Sequence, residues 1–303
     1  MADTDPAGGP GIEPEHHTPP AQKDYGRAGR NLPVAIGVGA ALIAAVVLTL
    51  MFFNWGFVAL VAAGLVLAGI ELHQALRRRN IHTAIWPISV GTLLIVMASY
   101  AAGHEPRINM PATTIVLGAI GLTVVASLVW RMRRGPEGFI RDVSGSLFTI
   151  AYVPLLGSFV ALMLAGEQGV GRVVTFILVV VASDIGGYVL GVLIGRHPMA
   201  PVISPKKSWE GFVGSVIFSQ ATAIALCVFV LGVPWWVGTV LGAALVIAGT
   251  CGDLVESLIK RDVGIKDMSS FLPGHGGVMD RIDSLLLAAA PAWLVMYLLV
   301  PGG

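Results

Sequence analysis

Between Ser257 and Asp283 the chain reads SLIKRDVGIKDMSSFLPGHGGVMDRID, gathering Lys260, Arg261, Asp262, Lys266, Asp267, Asp280, Arg281 and Asp283 around a glycine-rich turn. Both charge signs beside such a turn suit a site that binds metal and phosphate together. Carboxylates take hard cations, ammonium and guanidinium groups take phosphate oxygens, and backbone N–H groups without Cβ obstruction can approach an anion. Pro273, Gly274, His275, Gly276 and Gly277 supply the turn. His275 could contact phosphate or fix the loop, and the sequence supports the two alike. Asp253, Ser257 and Lys260 are spaced by four and three residues, so a helix through them puts a carboxylate, a hydroxyl and an ammonium on one face. Asp280 and Asp283, three apart, would share a face at the start of the next helix, whose positive end favours them. Carboxylates from two sources facing one polar space suit Mg2+, as one ion or two, because Mg2+ prefers oxygen ligands and keeps waters and substrate phosphate oxygens.

A second polar stretch, Ser204-Pro205-Lys206-Lys207-Ser208-Trp209-Glu210-Gly211, sets adjacent lysines between hydroxyls. It could hold a triphosphate or an anionic lipid headgroup. Asp184, followed by Gly186, Gly187 and Tyr188, lies within an apolar run about 16 Å from its end at roughly 1.5 Å per residue. An ionisable group at that depth is a functional candidate. Glu71 carries less weight, because Arg77, Arg78 and Arg79 lie near enough to pair with it.

The elements that must position these residues are membrane helices. The chain is 55% apolar and 12% charged, with a mean hydropathy of +0.80, which excludes an ordinary soluble domain. Runs near 33–53, 55–76, 85–102, 112–130, 146–165, 173–195, 212–232, 234–252 and 284–300 are each long enough for a hydrocarbon core of about 30 Å. The expected fold is therefore all-α: a polytopic integral membrane protein of about nine transmembrane helices, with a polar active-site cavity facing the cytoplasm. Residues 1–30, rich in Pro, Gly, His and charge, form a disordered cytoplasmic tail in this reading. Residues 31–145 form the amino-terminal helices, and 146–303 the catalytic region. The first run follows that tail and exceeds the about 7 to 15 residues of a signal-peptide core, so it is not expected to be cleaved.

Of the 19 Lys and Arg, all but Arg107 and Arg172 fall on one side if the amino terminus is cytoplasmic. The positive-inside bias then places the signature in the cytoplasm and the carboxy terminus outside, in a cell (plasma) membrane. Arg77 to Arg79 and Arg131 to Arg134 read as orientation signals. The aspartates do not, because acidic residues contribute little to orientation. Cys227 and Cys251 suggest neither a disulfide framework nor a zinc cluster and read as packing residues.

The order S-x-x-K-R, K-D, P-G-H-G-G, D-R-x-D closely resembles the signature of phosphatidate cytidylyltransferases, also called CDP-diacylglycerol synthases. Here it is carried by Ser257, Lys260, Arg261, Lys266, Asp267, Pro273 to Gly277, Asp280, Arg281 and Asp283. Asp184 with its glycines, Ser204 to Gly211, and Gly252 to Ser257 resemble the family's other polar blocks in the same order, so the likeness covers about 175–285. Position 208 is Ser where many members have Thr, which keeps the hydroxyl. The resemblance implies transfer of a cytidylyl group from CTP to phosphatidic acid with a divalent metal. By that analogy Asp253 and Asp280 are metal ligands, with Asp283 a further ligand or a group orienting them. Lys260, Arg261, Lys266 and Arg281 stabilise triphosphate charge, Lys206 and Lys207 serve either substrate, and Asp267 and Asp184 complete the catalytic set. Ser204, Ser208, Ser257 and the turn from Gly274 to Gly277 bind substrate. A homodimer also fits the family, but Gly37-x-Gly39 and Gly64-x4-Gly69 are inadequate dimerisation signals. No nucleic-acid partner is expected.

Three other classes are weighed against this one. A CDP-alcohol phosphotransferase would carry D-G-x-x-A-R followed by G-x-x-x-D-x-x-x-D, which is absent from this sequence. A CTP-dependent lipid or polyprenol kinase would release CDP instead of pyrophosphate. A secondary transporter would place coupling carboxylates at mid-depth in related repeats, whereas only Asp184 lies deep and no repeat is apparent.

Overall fold

The computed structural model describes residues 32–104, 111–271 and 276–302, so the tail expectation for 1–30 lies outside the described residues. Helices α1 (Leu32–Phe52), α2 (Asn54–Arg77), α3 (Ile85–His104) and α4 (Ala112–Met132) come first. They are followed by α5 (Phe139–Ile150), α6 (Leu156–Ala165), α7 (Gly169–Ile194), α8 (Trp209–Phe229), α9 (Trp235–Val263) and α10 (Met279–Leu299). A π-helical turn, Ala151–Leu155, joins α5 and α6 into one rod. Pro154 lies in that turn; it has no N–H to donate and crowds the preceding turn, which a wider helix accommodates. Eight rods among the described residues, α2, α3, α4, α5–α6, α7, α8, α9 and α10, are long and apolar enough to cross a membrane. The protein is an all-α polytopic membrane protein. The ninth expected crossing corresponds to α1, an uncharged helix of 21 residues.

Three boundaries differ from the sequence-based expectation. The fifth rod starts at Phe139 rather than near 146, because Asp142 in its first turn is held by Arg131 of α4, Nε to Oδ2 at 2.7 Å, both side chains 3% exposed. Helix α9 runs to Val263, well beyond 252, and stops at Gly264, whose φ of +73° provides the left-handed end. The stretch after α7 forms a small antiparallel hairpin, β1 (Pro198–Ala200) with β2 (Ser204–Ser208), and Ser208 Oγ then caps α8 by accepting from Gly211 N at 3.1 Å.

Helix α7 packs on α8, α8 on α9 and α9 on α10, while α3 packs against α2, α4 and α6. Small residues set the closest crossings, as expected where lipid offers no hydrophobic drive between helices. A Cβ on Gly186 of α7 would meet the carbonyl of Gly214, and a Cβ on Gly214 of α8 would meet that of Gly186. At the α9–α10 crossing, a Cβ on Gly252 would lie 2.5 Å from the Asp283 carbonyl and 3.0 Å from Ser284 Cα.

Arg131 and Arg79 both make bonds that join elements of the fold. Arg131 also donates to the carbonyls of Gly135 at 2.9 Å and Glu137 at 2.5 Å, and Asp142 accepts from His82 N at 2.8 Å. Arg79 Nε donates to the Asp262 carbonyl at 2.7 Å. Buried Arg172 donates to the carbonyls of Val300 at 3.3 Å and Pro301 at 3.0 Å. Cys227 is buried as a packing residue, whereas Cys251 is exposed.

Candidate active site

The closeness of α9 and α10 at Gly252 puts Asp253 beside the start of α10. Asp253 Oδ1 accepts from Ser284 Oγ at 2.5 Å and Oδ2 pairs with Lys207 Nζ at 2.5 Å. Asp283 lies against Asp253 and interacts with it directly. Asp184 of α7 is within electrostatic reach of Asp253, Asp283 and Lys207. Asp184, Lys206, Lys207, Ser208, Ser215, Thr250 and Asp253 line a cleft of about 240 Å3 between α7, α8, α9 and the hairpin. The glycine contact between α7 and α8 brings Asp184 there, and Ser215 Oγ fixes it by donating to the Ser183 carbonyl at 2.8 Å.

A second cavity, of about 370 Å3, is lined by Ser204, Lys206, Ser257, Lys260, Arg261 and Lys266, with Ile203, Pro205 and Ile265. Four cations and two hydroxyls surround it, the donor set that polyanionic phosphate requires. Arg261 Nε donates to the Ile203 carbonyl at 3.4 Å, tying the hairpin to α9 across it. Lys206 lines both cavities, so the cationic space adjoins the carboxylate cleft at that residue.

The other expected residues are placed differently. Asp280 does not join Asp253 and Asp283 in one cluster: among the described residues no three Asp, Glu, His or Cys side chains are arranged to hold a metal. Asp280 Oδ1 takes Lys260 Nζ at 3.0 Å, and Oδ2 accepts from Met268 N at 3.1 Å and Gly277 N at 2.9 Å. Its oxygens organise the signature loop. Arg281 is exposed and lines an apolar cavity with Phe57, Leu60, Ile282 and Leu285 rather than either polar one. Asp267 is exposed and lines neither polar cavity. Gly276 adopts φ of +82°, which glycine supplies without strain. Gly274 and His275 lie outside the described residues.

Ser284, Glu256 and Glu71 were not singled out as site residues by type and spacing. Ser284 has no sequence signal. Glu256 pairs with Lys260 one helical turn on, at 2.6 Å, a spacing that was legible. Glu71 is not held by the arginines after it: it is 4% exposed and accepts from Ser269 Oγ and from the amides of Val278 and Met279. Glu71 lies near the end of its apolar run, where the arginines after it supplied a local explanation that tertiary packing overrode.

The donor set fits Mg2+ bound through paired carboxylates. Asp253 and Asp283 provide the pair, and buried Glu256 Oε1 and Tyr152 OH, close to them, have no hydrogen-bond partner among the described residues. A buried carboxylate oxygen without a donor is the acceptor that a hard cation or its bound water satisfies.

Membrane-spanning helices that set a carboxylate cleft against a cationic cavity define a membrane enzyme of phosphate chemistry. Residues 34–299 match the model of the Cytidylyltransferase family. The chain is 40% identical to a phosphatidate cytidylyltransferase of Mycobacterium leprae, over 99% of this chain and 100% of that protein. It is 38% identical to one from Mycobacterium bovis over 90% of each chain, and 33% identical to one from Staphylococcus saprophyticus over 81% of this chain and 92% of the other. The chain therefore belongs to the cytidylyltransferase family, a family of nucleotidyltransferases.

Proposed function

We propose that the protein joins CTP and phosphatidic acid to give CDP-diacylglycerol and pyrophosphate. The observation that carries this reading is the junction at Lys206, where a cavity lined by four cations meets a cleft lined by carboxylates. A triphosphate fits the first, through Lys206, Lys260, Arg261 and Lys266 with Ser204 and Ser257. Its reacting phosphorus then lies toward the second.

The nucleophile is an oxygen of the lipid phosphate, already anionic, so no strong general base is required. It bonds to the α-phosphorus of CTP as the bond from that phosphorus to the bridging α–β oxygen breaks, and pyrophosphate leaves with the bonding electrons. The main obstacle is repulsion between two polyanions, which positioned cations offset. Lys206 and Lys207 stand where both substrates would meet, and Lys207 is oriented by Asp253. Asp253 and Asp283 would hold Mg2+, which when bound neutralises phosphate charge and orients the reacting oxygens. Asp280 holds Lys260 toward the cationic cavity and the loop in register.

The same reading places the protein in the plasma membrane with the site on the cytoplasmic side. In support, basic residues at the ends of α2 and α9 bond across to neighbouring elements: Arg79 donates to the Asp262 carbonyl and Arg261 to the Ile203 carbonyl. Buried Arg172 instead serves the carbonyls at the end of α10. Purified protein given labelled CTP, phosphatidic acid and Mg2+ should form labelled lipid and pyrophosphate together. Release of CDP in place of pyrophosphate would indicate a lipid kinase, and absence of both products across several detergents and metals would remove the reading.

A further inference from the structure

The first turn of α10 is gripped from two sides. On one side Asp280 accepts from Met268 N and Gly277 N. On the other, Glu71 of α2 reaches across the bundle. Its Oε1 accepts from Ser269 Oγ at 2.5 Å and Val278 N at 2.9 Å, and its Oε2 accepts from Met279 N at 2.8 Å. The two carboxylates thus tie successive residues, Met268 and Ser269, to successive amides at the start of α10. Gly277 lies between them, where a Cβ would come within 2.7 Å of Glu71 Oε2 and 3.0 Å of Asp280 Oδ2.

Glu71 is 4% exposed, and its charge is met by N–H and O–H donors and by the positive end of a 21-residue helix. A buried carboxylate so satisfied is a rigid joint, because displacing it strands both the charge and the amides of an immobile turn. Met279 is 0% exposed and has no solvent to turn to.

We infer that Glu71 is a positioning residue of the active site: it fixes the first turn of α10 against α2 and so holds Asp280 and Asp283 in register with Asp253 and Lys260 on α9. The consequence for turnover rests on the proposed reaction at that site, whereas the consequence for the local structure does not. Residues 31–145, which contribute neither polar cavity's lining, thereby have a defined part in the chemistry.

Glu71→Gln separates this role from bulk packing. Glutamine keeps the volume, but its amide NH2 cannot accept, so Val278 N loses its partner if the NH2 takes the Oε1 position and Met279 N loses it if the NH2 takes the Oε2 position. Hydrogen–deuterium exchange on the full chain in detergent should show the amide of Val278 or of Met279, whichever faces the NH2, exchanging about 10- to 100-fold faster, with the segment around Arg131 and Asp142 unchanged. Ser269→Ala removes one donor and leaves both amides held, so its effect there should be smaller. Gly277→Ala presses on the same carboxylate from the other side and should reproduce the Glu71→Gln pattern, which keeps the inference testable if Glu71→Gln does not fold. In the CTP and phosphatidic acid assay, Glu71→Gln should lower kcat and raise the Mg2+ concentration needed for half-maximal rate, a shift that mere loss of folded protein would not produce. Wild-type exchange at Val278 and Met279 in Glu71→Gln, or in Gly277→Ala if the former does not fold, overturns the inference. So does fast exchange with an unchanged Mg2+ dependence in an active enzyme. An inactive wild type with the expected exchange pattern would instead overturn the proposed reaction and leave the structural joint standing.

Discussion

Replacing Gly252 by alanine should separate Asp253 from Asp283 without altering either carboxylate. The added Cβ would lie 2.5 Å from the Asp283 carbonyl oxygen and 3.0 Å from Ser284 Cα, both main-chain atoms that no rotamer change can move. Non-bonded carbon atoms are most comfortable at about 3.5 to 4.0 Å, so α9 and α10 must part by about 1 Å at this level. Overpacking of this kind costs about 1 to 3 kcal/mol of stability. The functional effect is comparable in free energy and separately measurable, because a displacement of about 1 Å at a reacting centre can reduce rate about 100-fold, or about 2.7 kcal/mol. The 2.5 Å bond from Ser284 to Asp253 and the direct contact of Asp253 with Asp283 are the interactions that stretch. The assay is initial-rate pyrophosphate release at saturating CTP and phosphatidic acid, beside thermal unfolding of the same preparation in detergent. Gly64→Ala on α2 is the control, since a Cβ there meets nothing within 4 Å. It should keep turnover and gain about 0.4 to 1 kcal/mol from a stiffer unfolded chain. Wild-type turnover in a folded Gly252→Ala enzyme would refute the argument that this crossing sets the carboxylate geometry.

Asp253→Asn should lower turnover about 100- to 1000-fold at every Mg2+ concentration while the unfolding temperature changes little; a near-normal rate would remove this carboxylate from the chemistry. Lys206→Ala, at the junction of the two cavities, should lower kcat/KM for both CTP and phosphatidic acid, with Lys206→Arg restoring it only in part, as substrate titrations will show. Asp142→Ala leaves buried Arg131 without its partner and should destabilise the protein by about 3 to 5 kcal/mol in denaturation, with normal kinetics for the fraction that folds. A reporter fused after Gly303 should be extracytoplasmic and one inserted at Gly135 cytoplasmic, and finding both on one side would require a different number of crossings.

Much of this was legible in the sequence. A bilayer sets the length of an apolar run, so the helical rods and their order follow from hydropathy. Helix periodicity relates residues along one element, which is why Asp253, Ser257 and Lys260 could be placed on a single extended helix. The charged signature stood out by composition, as a concentrated exception to a hydrocarbon chain. Contacts between elements were a different matter. Asp280 and Asp283 have the same type and a helical spacing, yet one binds Lys260 and loop amides while the other lies against Asp253. Only the depth at which α10 meets Gly252 separates those roles. Glu71 and Met279 are bonded across 208 residues, and Lys207 and Asp253 across 46, distances over which no local pattern constrains direction. Between helices in lipid, small residues determine where backbones touch, and polar side chains then bond whatever that contact brings within reach. The sequence by itself determined the membrane fold and the residues available for chemistry; that Asp283 interacts with Asp253, that Asp280 holds the loop, and that Glu71 of α2 bonds the start of α10 were decided by packing alone.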